Sequence, residues 1–151
     1  MRSLLACTVW AYCAGAVVPV RAMSQTPTVG VIPWILSDTS DQRLASALRD
    51  ALVPAEPHVR VSTKRDLEGT LVTEGPDTLS WLELRELGKL MRLDVVVGVH
   101  ACAGETPCVR IVAGRMVWPS SPDTLTFRGS QWIRAATDTL ARRFFPKAPG
   151  S

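Results

Sequence analysis

A chain of 151 residues is one domain's worth, and setting aside a targeting segment over residues 1–22 leaves about 129, still enough to bury a single core. The formal charge of +3 includes Arg2 and Arg21; without them 15 basic residues stand against 14 acidic ones, a net of +1. The lysines and arginines are scattered, which excludes the electrostatic footprint of a nucleic-acid binder.

Residues 1–22 read as a secretory signal peptide, with Arg2 as its charge, a nearly unbroken apolar run from Leu4 to Val20, and small residues in Val20-Arg21-Ala22. Cleavage is expected near Ala22, and the run is marginal as a membrane span. A membrane association is therefore expected only through an uncleaved signal. The competing reading takes Met23 as the true start, because Met-Ser-Gln-Thr-Pro is an ordinary cytosolic beginning. Leu4-Leu5-Ala6-Cys7 has lipobox chemistry, but Cys7 precedes any adequate apolar stretch.

Residues 23–27 make a short linker, and one domain is expected over 28–145. Thr28 to Leu36 is an apolar run of the kind that a strand covered on both faces shows, with Pro33 at its end or on an edge. A helix should follow: Thr39 and Gln42 fit a capping box, Asp38 and Asp41 suit its start, and Leu44, Ala47, Leu48, Ala51 and Leu52 recur at helical spacing. Pro54 and Pro57 stop it. Val59 to Ser62 alternates as a short strand, and residues 63–77 suggest one helical turn around Arg65 to Leu71, then a loop. Ser80 and Glu83 form a second capping box, with Leu79 and Leu84 placed as a hydrophobic staple. That helix runs to about Arg92, burying Leu84, Leu87 and Met91, and Gly88 on the same stripe allows a close approach to the sheet.

Asp94 to Gly104 then reads as the middle strand of a sheet, with four valines in six residues and no proline. Cys108 to Trp118 resumes the strand pattern, giving an antiparallel hairpin. Facing Cys102 with Cys108 fixes the register: His100 opposite Arg110, Val99 opposite Ile111, Val97 opposite Ala113. One face then collects Val95, Val97, Val99, Val109, Ile111 and Ala113, and the other His100, Cys102, Cys108 and Arg110. Leu125 and Phe127 belong to a further strand. Ser130 can cap a last helix with Ile133, Ala136, Thr137, Leu140 and Phe144 on one face, and residues 146–151 form a tail. The expected class is α/β (α+β), a mixed sheet of about five strands in the order β-α-β-α-β-β-β-α, with helices packed on it.

Few residues offer chemistry. Cys102 and Cys108 would close a disulfide in an exported protein, worth about 2 kcal/mol for so short a loop, or stay as inert thiols otherwise. A catalytic His100 would need a nucleophile or carboxylate, and its predicted neighbours are Arg110 and the cysteines. His58 belongs to a solvated loop. His100, Cys102 and Cys108 fall short of a zinc set, and Leu36-Ser-Asp-Thr-Ser replaces a phosphate loop after the first strand. No catalytic, metal or cofactor residue is assigned. Trp81 and Trp118 would be anchors for a partner, or packing over the sheet margin. A free edge strand would leave strand addition between copies open, making the chain a homo-oligomer.

Val29-Gly-Val-Ile-Pro-Trp34 resembles the first strand of the amino-terminal domain of the Tol-Pal protein TolB and of the related periplasmic folds in FlgO, CsgG and the penicillin-binding-protein activator LpoB. Leu84-Arg-Glu-Leu-Gly-Lys-Leu-Met-Arg-Leu-Asp-Val-Val-Val-Gly-Val99 is similar to that group's second helix and third strand. The resemblance spans about residues 28–145 and implies a non-enzymatic module of the bacterial periplasm or envelope, docking an envelope protein partner. No propeller repeats follow Phe145, and there is no surplus length for pore strands, so neither a Tol-Pal role nor a pore carries over. The alternative is a cytosolic ligand-sensing or regulatory domain starting at Met23.

Overall fold

The computed structural model describes residues 26–63, 65–66, 78–104, 107–117 and 121–146. The elements follow in the predicted order: β1 (Thr28–Pro33), α1 (Thr39–Ala55), β2 (Arg60–Val61), α2 (Trp81–Leu90), β3 (Val95–Ala101), β4 (Cys108–Arg115), β5 (Asp123–Arg128) and α3 (Trp132–Phe144). They build a mixed sheet in the order β2-β1-β3-β4-β5, parallel on the β2 side of β3 and antiparallel beyond it. The signal segment 1–22, most of the 23–27 linker, Trp118 and the tail from Lys147 lie outside the described residues. Of the helical turn expected around Arg65, Arg65 and Asp66 are helical, and residues 67–77 also lie outside the description.

The valine run becomes β3 because helices cover both of its faces. Val95, Val97 and Val99 join Val29, Val31 and Ile111 under α1 and α3, which contribute Leu48, Leu52 and Leu140. Val96 and Ile32 turn the other way, toward Leu79 and Leu84 at the start of α2. Each such buried side chain stabilises by roughly 1.5–3 kcal/mol. Two glycines set how close α2 can come. A Cβ on Gly98 would stand 2.7 Å from Leu84 Cδ1, and one on Gly88 would stand 2.6 Å from Met116 Sδ.

The hairpin register is the one the cysteines predict, with His100 facing Arg110, Val99 facing Ile111 and Val97 facing Ala113. The Ser80 capping box is present too: Glu83 N–H donates to Ser80 Oγ at 3.3 Å and Ser80 N–H to Glu83 Oε2 at 2.6 Å. Of the other expected caps, Asp38 is present, whereas the Thr39–Gln42 box and the Ser130 cap are not. Helix α1 is capped by Asp38, whose Oδ1 accepts from Ser40 N–H at 2.6 Å, while Gln42 donates to Leu36 O instead of completing a box with Thr39. A carboxylate one residue earlier is the stronger acceptor for those free N–H groups. Ser130 does not cap α3; Gln131 stands at the cap without a side-chain bond, after Gly129 turns the chain at φ +85°. The far end of α3 is held by Arg115, which donates to Phe144 O at 3.1 Å.

On the β2 side the sheet stops early. Arg60 and Ser62 N–H donate to Pro27 O and Val29 O, and the next carbonyl in that alternation, Val31 O, accepts from Arg49 Nη2 at 2.9 Å. A guanidinium from α1 thus takes the place of the missing strand residue. Pro33 follows in the same alternation, so its absent N–H falls where β2 has already ended, the edge position that proline tolerates.

Candidate functional site

Chain direction creates one crevice. From β1 the chain crosses through α1 to β2 on one side, then returns through α2 to β3 on the other, so the carboxyl ends of β1 and β3 part at a topological switch point, where open α/β sheets receive ligands. The free N–H groups at the ends of those strands point into it. Here they are already engaged by the chain itself.

Asp41, in the first turn of α1, is fully buried in this crevice. Its Oδ2 accepts from Ile35 N–H at 3.0 Å, just past β1, and its Oδ1 from Ala101 N–H at 2.7 Å, at the end of β3. His100 supplies the third donor, Nδ1, 3.0 Å from Oδ2. A carboxylate that accepts at both oxygens is matched by the Nδ1–H tautomer of the ring. The His100 side chain is 30% exposed. In this chain the strand-end N–H groups are taken by an aspartate of its own.

Sequence reading assigned Asp41 to helix capping and gave His100 no carboxylate neighbour; the structure corrects both. Asp38 alone caps. The available signal was that two acids flank one helix start and only one can occupy the cap position.

The disulfide closes the same end of the sheet. Cys102 and Cys108 are bonded, with Cα atoms 5.2 Å apart, and Cys102 N–H donates to Cys108 O at 2.9 Å as the last rung of the hairpin. Beside it lies an open cleft of about 400 Å³, lined by Ser40, Arg43, Leu44, the two cysteines and Trp132. Among the described residues no group of three or more His, Cys, Asp or Glu side chains could hold a metal ion.

The other residues singled out from sequence lie elsewhere. Trp81 opens α2 half-buried, and its ring lies over Gly114, where a Cβ would come within 2.7 Å of Cζ2. Part of that ring thus packs on the molecule's own sheet. Trp118 is outside the described residues. His58 is 40% exposed, as expected of a solvated loop residue, with its Nδ1 3.3 Å from Oε2 of the buried Glu56. Glu56 also borders a cleft of about 580 Å³ with Asp138, Arg142 and Phe145.

No family model matches the chain, and no curated protein does. Among solved structures, it is similar to the hypothetical protein CT253 from Chlamydia trachomatis, at 12% identity and a TM-score of 0.39 over 68% of this chain and 72% of that one. It is also similar to the PelC dodecamer from Paraburkholderia phytofirmans, at 15% identity and a TM-score of 0.37 over 78% of this chain and 82% of that one. Likenesses at these scores carry no argument about function. Among the described residues no helix is long and apolar enough to cross a membrane.

Proposed function

We propose that this chain is an exported, non-enzymatic binding module of the bacterial cell envelope that docks a protein partner there. The observation that carries the reading is the Cys102–Cys108 bond, because such bonds form and persist in oxidising compartments. The signal-like residues 1–22 and the resemblance to TolB-type amino-terminal domains support the same compartment. Binding is favoured over catalysis by the surroundings of His100. Its ring has a carboxylate partner in Asp41, but the sulfurs nearest to it in sequence are tied to each other, so neither is a free nucleophile.

The test is made on the protein as its native cells produce it. Amino-terminal sequencing together with thiol labelling under denaturing conditions should give a terminus near Met23 and no reaction at Cys102 or Cys108. Two reactive thiols in a cytosolic fraction would overturn the proposal and support the regulatory domain starting at Met23.

A further inference from the structure

The far edge of the sheet is built differently from the β2 side. The β4 ladder uses backbone groups of alternate residues of β5: Gly129 N–H donates to Pro107 O, and the register pairs Val109 with Phe127, Ile111 with Leu125 and Ala113 with Asp123. In an antiparallel ladder the residues between these turn their N–H and C=O groups away from the partner strand. Those residues are Thr124, Thr126 and Arg128, and all three are exposed. No other described residue bonds their backbone groups. On the helix-covered face Leu125 and Phe127 pack against the core but stay only partly buried. The strand is six residues long, with no proline inside it and no bulge, so it lacks the usual protections of an edge apart from Arg128.

We propose that β5 pairs with β5 of a second copy of this chain, antiparallel about a two-fold axis through Thr126. One register makes the strand complementary to itself. With Thr126 facing Thr126 of the second copy, Thr124 faces Arg128 and Arg128 faces Thr124, so all three outward residues meet outward residues and each pair exchanges both N–H···O bonds. Between them Leu125 faces Phe127 and Phe127 faces Leu125, apolar pairs at the closer, non-hydrogen-bonded positions, which completes burial of the two half-covered side chains. Shifting the axis to Leu125 sets Phe127 against Asp123; shifting it to Phe127 sets Leu125 against Gly129. Neither alternative keeps three facing backbone pairs. The interface is isologous, and the two sheets become one. This pairing goes beyond the compartment reading and does not depend on it.

The test is sedimentation equilibrium of the purified, oxidised protein from low micromolar to near-millimolar concentration. The unchanged chain should show a monomer–dimer equilibrium. Thr126→Lys sets two ammonium groups face to face at the axis and should leave a monomer over the whole range, with an unaltered circular dichroism spectrum. Thr126→Glu alone should behave likewise, and an equimolar mixture of the Lys and Glu variants should recover the dimer mass. Thr126→Pro, which removes an outward N–H and leaves the β4 ladder intact, gives a second route to the monomer. An unchanged chain that stays monomeric throughout, or an oligomer that survives Thr126→Lys, overturns the proposal.

Discussion

Two aspartates do the same job at opposite ends of β1 and β3, in different surroundings. Asp94 precedes β3 and its Oδ2 accepts from the first residue of β1, Thr28, through N–H at 2.7 Å and Oγ1 at 2.8 Å. Asp41 accepts from the chain just beyond the last residue of β1 and from the end of β3. Asp94 is exposed; Asp41 is fully buried. Water can replace the first carboxylate, whereas the second is withdrawn from solvent. A shared hydrogen-bond pattern therefore does not imply a shared energetic weight.

The largest effect expected is that of Asp41→Ala, which leaves the Ile35 and Ala101 N–H groups and the His100 ring without their acceptor and should cost about 3 kcal/mol or more. Urea unfolding would measure it as a lowered midpoint; a loss below 1 kcal/mol would mean that water reaches the crevice and would erase the contrast with Asp94. Next comes the double replacement of Cys102 and Cys108 by serine. It should cost about 2 kcal/mol by the loop-closure relation, and hydrogen exchange should rise at the hairpin end of β3 while the Thr28 end is unaffected. Asp94→Ala should cost about 1 kcal/mol, with water taking over its donors. A cost equal to that of Asp41→Ala would show that exposure is a poor guide to the weight of these bonds.

The smallest effect is a pH response at a third carboxylate that accepts a backbone N–H. Hydrogen bonds from the backbone, then the side chain, of Ser80 hold Glu83 below the ordinary glutamate range. A folded-state value lowered in this way means that its contribution is complete above the unfolded glutamate value and fades as pH falls through the folded one. Amide protection in the first turn of α2 should weaken on acidification, and Glu83→Gln should flatten that response.

Local rules made the hairpin and α2 legible in the sequence. Two cysteines fixed the partners of His100, Val99 and Val97, and Ser80 with Glu83 marked the start of a helix, because those signals lie within a few residues of what they determine. Asp41 was not legible in this way. Its partners Ala101 and His100 stand 60 and 59 positions away, and no spacing rule links a helix start to the end of a later strand. Arg49 was hidden for a related reason. It is charged, yet it sits among the buried residues of α1 because a carbonyl of β1 needs a donor there. The caps at Asp38 and Gln131 show the other limit, since neighbouring Ser, Thr and Asp residues compete for one position and only the path of the chain decides between them.

The guanidinium of Arg49 also bears on where the sheet could be extended. With Val31 O already taken and β2 just two residues long, the described part of that flank offers a newcomer little to pair with. The association proposed for the opposite flank would engage all three outward residues of β5 on each molecule. A pair formed in this way would be isologous and would close on itself, as a two-fold interface does.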